Sequence, residues 1–547
     1  MVADRWITDW EPSTKFPLYT RANAGEVLPD PGSPLGWTLV WEPGVVMGWL
    51  DAQVSVGTFE PDEFSPTRPQ VVGSFGGYLY INGQAARLFG VRAPGLSPEM
   101  IDYVYFGAHP DVPPYHPEPW HERPGNTEKL GQWMASVMST TDLPELRDDQ
   151  GLASKARLDR PDLADLTDLQ LLDRAREFVP AIRALFCRHL IMTAGTSIGP
   201  GVLRAIAEAL GDPGMALSLI TSIGDVDSAL PSHAMWALSR LDPLSEEFSV
   251  GFEDFLVQYG SRGTNEWDLR SDTWETNPSM ARSLIDVMRK SDSANDPSIR
   301  NATNGQQREE ITETIRTALA SQPDTLAQFN AGLRSAHVFM AGRERAKTTI
   351  IRVIHEVRMA VRELGSRHDF TPSQVCMLLN DELDAFVSDP DEYRARLIAR
   401  EQQYLELFQL EPPFIITDSV KPLGQWSRRT ASTATMAAVG EVLVGVPGGP
   451  GVVEGRARII LDPTDPMALE PGEILVAPVT DPAWTPLFVP AAAVVVNVGA
   501  QVSHAVIVSR ELGLPCVVSV QDATNRIPNG ALVRVDGGAG TVTILAL

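Results

Sequence analysis

Asn497–Pro515 reads NVGAQVSHAVIVSRELGLP, and it follows directly on the Val-rich run AAVVVNV of residues 492–498. A short apolar run closed by Gly reads as a buried strand, and the spacing after Ser503 predicts a helix over about Ser503–Leu512. Ser503 is a suitable N-cap, and Gly513 with Pro515 supplies the stop. His504 therefore stands at a helix start, where free N–H groups and the positive dipole end favour an anion such as a phosphoryl group. A neutral imidazole is also nucleophilic near pH 7. His504 is the only histidine in the last 179 residues. No Cys, Asp or His beside it has metal-ligand spacing, which leaves little support for zinc. A plain capping histidine would fit the same place.

The segments around it share one texture. ARIIL, GEILVAP, PCVVSV, ALVRVDG and TVTIL are short Val/Ile-rich runs parted by Gly and Pro, so residues 441–547 read as a compact α/β domain. Ahead of it, SRRTASTATMAAVG (Ser427–Gly440) has small residues and few apolar anchors, as a mobile linker would. Residues 1–426 form the remaining part. Up to about residue 125 this part is rich in Trp, Tyr, Phe, Pro and Gly, and GWTLVWEPGVVMGW and GSFGGYLYINGQAARLFG look like short strands and tight turns of an irregular α+β region. These rings either pack as core or line a pocket for an aromatic substrate. From about Asp142 to Leu410 the apolar spacing is helical, as in LTDLQLLDRAREFVPAIRALFCRHLIM. A polar interruption, Phe255–Pro278, puts Arg262, Glu266, Asp268, Arg270 and Trp274 on loops. The fold class expected is multidomain α/β.

The totals bound the function. A chain of 547 residues exceeds one core and implies two to four domains. A net charge of −25 without basic clusters argues against nucleic acid and anionic membrane as partners. Cys187, Cys376 and Cys516 are far apart, so neither a disulfide framework nor a Cys-type zinc site is expected. The N-terminus has no basic segment followed by an apolar core, and no run of 18 apolar residues occurs. The expectation is a soluble cytoplasmic protein.

One further pattern concerns charge. Ala336, Met340, Arg343, Lys347, Ile350, Ile354, Val357, Val361 and Leu364 fall on one helix face, apolar except for Arg343 and Lys347. Two cations one turn apart on an inward face need an anionic partner. It is either an interior carboxylate or a phosphoryl group in transfer, whose charge grows on its oxygens. His337 and His355 lie off this stripe and are expected at the surface.

The run Gly499–Val518, GAQVSHAVIVSRELGLPCVV, resembles the signature of the phosphohistidine swivelling domain of phosphoenolpyruvate synthase, pyruvate phosphate dikinase and rifampicin phosphotransferase. GGPGVVEGRARII and GEILVAPVTDPAWTPLF resemble its opening strands and its threonine–aspartate loop, here Thr480 and Asp481. Ser503 stands where that family often has Cys or Thr. The resemblance implies that His504 carries the phosphoryl group and that its domain swings between donor and acceptor sites. The R-E-x-x-K spacing resembles the central domain of rifampicin phosphotransferase and implies that Arg343 and Lys347 approach the phosphohistidine. YGSRGTNEWDLRSDTW resembles a second segment of that domain. It makes Arg262 a weaker member of the clamp, and Glu266 or Asp268 either a base on the acceptor or a support of the loop. TRANAGEVLPDPGSPLGW resembles the opening of the family's acceptor domain and brings in Trp37 as a substrate-binding residue.

No segment matches a Walker A loop, the family's ATP-grasp domain or a phosphoenolpyruvate-binding barrel. The arrangement resembles the split aryl phosphate synthases of phenol and 4-cresol degradation, in which a separate ATP-grasp subunit binds ATP and Mg²⁺. The implied reaction converts ATP, water and a phenol into aryl phosphate, AMP and phosphate. A rifampicin-type phosphotransferase with a separately encoded ATP domain, or a phosphocarrier with no acceptor of its own, would share these motifs.

Overall fold

The computed structural model describes residues 4–106, 111–224, 226–429, 434–461, 469–481, 484–499 and 503–547. Residues 430–433 of the expected linker, and 500–502 of the histidine run, lie outside the described residues. On either side of 430–433 the chain is tied down. Arg429 N donates to Gln409 O, Ala437 N to Arg526 O and Gly440 N to Ile544 O.

The first part is built on a four-stranded antiparallel sheet of β1 (Leu18–Thr20), β2 (Val72–Phe75), β3 (Tyr78–Asn82) and β4 (Ile415–Thr417), in the order β2-β3-β1-β4. Gly76 and Gly77 (φ +60° and +75°) form the two-residue turn between β2 and β3, where both central positions need positive φ. β4 comes from far along the chain, so the aromatic-rich start and the end of the helical region close one sheet. Their common core runs from Trp6 through Trp37, Trp41, Phe186 and Ile354 to Trp426.

GWTLVWEPGVVMGW corrects the expectation of strands. Gly36–Val46 is a helix with wide π-type turns and continues directly into the helix Met47–Ser55. Pro43 lies inside it and lacks the N–H that a regular turn would use. Eight of its eleven residues are buried, against the helix Val179–Gly195 above all, so no polar face reveals its period. The GSFGGYLYIN stretch does form strands.

The middle of the chain is helical. Its column is the 45-residue helix Pro323–Arg367, about 67 Å long, which packs on Val179–Gly195, Ile198–Ala209 and Pro144–Leu158. Residues 168–209 hold an 18-residue window of mean hydropathy 1.3 and so pass a membrane-crossing test by length and composition, although no run of 18 apolar residues exists. Here that segment is split into helices, and Ile182, Leu185, Phe186 and Met192 face the interior.

The last part is an eight-stranded sheet of β5 (Val442–Val444), β6 (Val446–Gly449), β7 (Val452–Ile459), β8 (Ile474–Ala477), β9 (Ala493–Val496), β10 (Cys516–Val518), β11 (Leu532–Asp536) and β12 (Thr541–Ala546), ordered β5-β12-β11-β7-β8-β9-β10-β6. β7 to β10 run parallel, and β8 and β9 are buried at every position, as strands covered on both faces must be. One face packs on Val533, Val535 and Ile544. The other carries the helix His504–Leu512 and shares a core with three helices of the middle region, Leu230–Ser239, Glu246–Tyr259 and Pro278–Lys290. Trp484, Leu487 and Phe488 meet Trp236, Phe252 and Trp274 there.

Polar contacts seal this seam. Ser222 Oγ donates to Glu511 O (3.2 Å), and Ile223 N faces Glu511 Oε1 at 3.4 Å. Burial pushes the Glu511 carboxyl up to about 7, with the Ile223 and Gly224 N–H groups pulling the other way. The folded chain thus holds this proton above the range of an unfolded glutamate. The resulting stability is complete below about pH 4.5 and is lost as pH rises through 7, on the order of 3 kcal/mol at most. Glu511→Gln, neutral at every pH, is expected to melt several degrees above the unaltered chain at pH 8 and to match it near pH 4.5. Calorimetry across that range checks this; equal midpoints at pH 8 would contradict the buried carboxylate.

Candidate active site

His504 opens its helix as the sequence suggests. Ser503 is extended (φ −71°, ψ 161°) with Oγ 3.5 Å from Val506 N, and Gly513 closes the helix at φ +65°. The imidazole lies between two hydroxyls, Thr480 Oγ1 at 3.2 Å from Nδ1 and Thr485 Oγ1 at 3.0 Å from Nε2, with the edge of Phe488 beside it. Only 8% of His504 is exposed. Burial, then the charges of Lys347, Arg262 and Arg343, hold it well below the usual histidine range. The ring is therefore neutral at physiological pH, with a nitrogen lone pair always available.

These three cations come from two remote segments. Arg343 and Lys347 sit one turn apart on the 45-residue helix. Arg262 comes from the loop 260–277, with Nε donating to Glu266 Oε2 (2.8 Å) and Nη1 to Thr348 Oγ1 (2.9 Å). Lys347 Nζ is 3.7 Å from Glu266 Oε1, and Arg343 Nη1 is 3.2 Å from Glu344 Oε1. The inward cations thus have interior carboxylates and also face the histidine. Glu266 is an ion-pair partner here, so its position does not favour the alternative of a base on the acceptor.

The loop is held from beneath. Arg358, fully buried, donates from Nη2 to Glu266 O (2.6 Å) and Asp268 O (3.0 Å). Asp268 Oδ2 accepts from Ser33 N (2.6 Å) and Oδ1 from Arg270 N (2.8 Å), which makes Asp268 a support of the loop. Asn265, at φ +50°, donates its N–H to Asp481 Oδ2 (2.8 Å), joining the threonine–aspartate loop to this one.

Three expectations need correction. Trp37 lies in the core, 1% exposed, stacked on Trp41 with its Nε1 on Glu42 (3.1 Å), and lines no open cavity. His355 is buried, with Nε2 2.8 Å from Glu275 Oε2 and Nδ1 accepting from Arg358 Nη1 (3.0 Å). His337 is half-buried, with Nε2 2.9 Å from Leu219 O. A helix packed on several sides buries more than its apolar stripe.

Two residues were missed. Thr485 follows Thr480 by five positions and reaches the second imidazole nitrogen. His189 is 8% exposed, its ring 5.7 Å from Phe186 and 6.5 Å from Trp267. Burial, then Arg343 and Lys347, lower it to about 3. Its place after Ile182, Leu185 and Phe186 on one helix face was a readable signal.

A cleft of about 1440 Å³ opens beside the seam, lined by charged and polar groups that include Arg21, Asp30, Arg270, Glu411 and Asp481. Among the described residues no cluster of three His, Cys, Asp or Glu is placed to hold a metal.

Lys347 and Arg262 should respond differently to substitution. Lys347→Met removes a partly exposed charge and is expected to raise the His504 pKa with little change in melting. Arg262→Met leaves the buried Glu266 with only Lys347, 3.7 Å away, and should cost about 3 kcal/mol. Histidine-selective NMR titration and denaturant unfolding measure the two effects; an unmoved His504 pKa in Lys347→Met would contradict the geometry.

Residues 469–540, which hold Thr480, Thr485 and His504, match the family described as PEP-utilising enzyme, mobile domain. Residues 239–344, which hold the Arg262 loop and Arg343, match the rifampicin phosphotransferase fourth domain. An uncharacterised protein of Mycobacterium tuberculosis is 32% identical over 355 residues, 63% of this chain and 36% of its own length. The rifampicin phosphotransferase of Streptomyces sviceus is 30% identical over 328 residues, covering 56% of this chain and 35% of its own. The prodigiosin synthesizing transferase of Serratia marcescens is 31% identical over 321 residues, with shares of 55% and 34%. The chain spans about a third of the length of these curated relatives. Residues around His504 match a mobile domain of the PEP-utilising enzymes, and the match ahead of it to the rifampicin phosphotransferase fourth domain includes Arg262 and Arg343.

Proposed function

We propose that this chain takes a phosphoryl group onto His504 and passes it to a hydroxyl acceptor, as the histidine-carrying component of an ATP-dependent phosphotransferase. The observation that carries the reading is the neutral, buried His504 ring facing Arg262, Arg343 and Lys347 across the seam. A neutral imidazole attacks phosphorus without first losing a proton. Cations already in place stabilise charge on the phosphoryl oxygens at no cost in reorganisation. Exclusion of water protects the phosphohistidine from hydrolysis.

The phosphoryl group would come from ATP with Mg²⁺ on an ATP-grasp partner. The acceptor favoured is a phenol such as phenol or 4-cresol, giving aryl phosphate, AMP and phosphate. The phenol reading rests on the order of motifs, which resembles the split aryl phosphate synthases. The large cleft mixes charged residues such as Arg270 and Asp481 with apolar ones such as Phe414, Leu461 and Trp484, so its lining does not separate a macrocycle from a phenol. The second reading, a rifampicin-type acceptor, is favoured by the relative of that name from Streptomyces sviceus.

Incubation with an ATP-grasp partner, ATP labelled at the β phosphate, and either phenol, 4-cresol or rifampicin tests the reading. Label is expected on His504 and then on a phenol. Arg343→Ala or Lys347→Ala should slow transfer about 10²-fold with melting nearly unchanged. Label reaching an acceptor in His504→Ala would overturn the reading. Label that stays on His504 whatever is offered would favour a phosphocarrier instead.

A further inference from the structure

The transfer leaves one proton without a destination, since the acceptor oxygen loses its hydrogen as it attacks phosphorus. The acidic groups around the cations are engaged. Glu266 is paired with Arg262 and Lys347, and Asp268 accepts backbone N–H groups of Ser33 and Arg270. His355 has both nitrogens occupied, by Glu275 and Arg358.

His189 differs. Its Nδ1 is buried with no hydrogen-bond partner, and the backbone of Arg343 acts on the ring to favour its protonated form. A neutral ring with its N–H on Nε2 carries a free lone pair on Nδ1. An unpaired interior nitrogen has a cost in a core and a use in a site. Phe186 and Trp267 flank the ring, and Arg343 and Lys347 act on His189 and His504 alike.

We propose that His189 is the base of the transfer, an inference that rests on the phosphotransferase reading above. The acceptor O–H gives its proton to Nδ1 of His189, the O–P bond forms, and the P–N bond to His504 breaks with its electron pair returning to the imidazole. In the empty site burial, and after it the two cations, suppress the basicity of His189. A phosphoryl group arriving on His504 brings negative charge to those same cations and offsets their share of that suppression. The base becomes competent when the donor is loaded.

The test uses the full chain charged at His504 by phosphoramidate, a small donor that needs no partner, with phenol and 4-nitrophenol as acceptors. His189→Asn is expected to charge like the unaltered chain and to discharge to phenol about 10²-fold more slowly. 4-Nitrophenol, ionised at neutral pH without help, should lose little of its rate, a rescue that a merely structural histidine would not give. Equal losses with both acceptors, or no loss with phenol, would overturn the proposal. His189→Gln is the second variant. In the unaltered chain a solvent deuterium isotope effect is expected with phenol and not with 4-nitrophenolate, and its absence overturns the proposal whether or not either variant folds. If His504 takes no phosphoryl group, the phosphotransferase reading itself fails. A charged chain that leaves phenol untouched would overturn the proposal.

Discussion

Glu266 receives Arg262 on one carboxylate oxygen and faces Lys347 with the other, in an interior where neither charge could stand alone. That three-way contact sets the loop 260–277, and the seam between the two halves of the molecule depends on it. Moving charges out of water costs several kcal/mol each, so such a cluster persists only where its members pair with one another. Arg358 provides that geometry from below, through the carbonyls of Glu266 and Asp268. Thr348 completes Arg262 from the side. The loop so held offers Asn265 N to Asp481 and presents its cations to His504.

His504 is neutral and largely shielded from water. The structure achieves this by placing it at a helix start between two threonines, against an apolar seam shared by Trp484, Phe488, Trp236 and Trp274. A carrier domain leaving this surface would uncover much of that seam. Undocking is therefore costly, and small polar contacts such as Ser222 and Glu511 tune the balance.

The charged network continues behind the site. Glu275 accepts from Arg160 and His355, and Glu356 from Arg160 and Arg174. They lock the 45-residue helix to the loop, which keeps the spacing between Arg262 and Lys347.

The setting of His504 was legible from the sequence because its signals are local. A Val-rich run, a serine cap, a left-handed glycine and a proline all act within twenty residues, and so do the strands around them. The stripe with Arg343 and Lys347 was legible because a helix repeats its face along its length. Gly36–Val46 was misread since a segment buried on nearly all sides carries no polar face from which to take a period. Tertiary structure alone decided that Trp37 lies in the core, that His355 is interior, and that Glu266 answers Lys347. It also brought His189 to the two cations that face His504. Those are meetings of segments far apart in the chain, set by how helices and sheet pack, and no local pattern of residues encodes them.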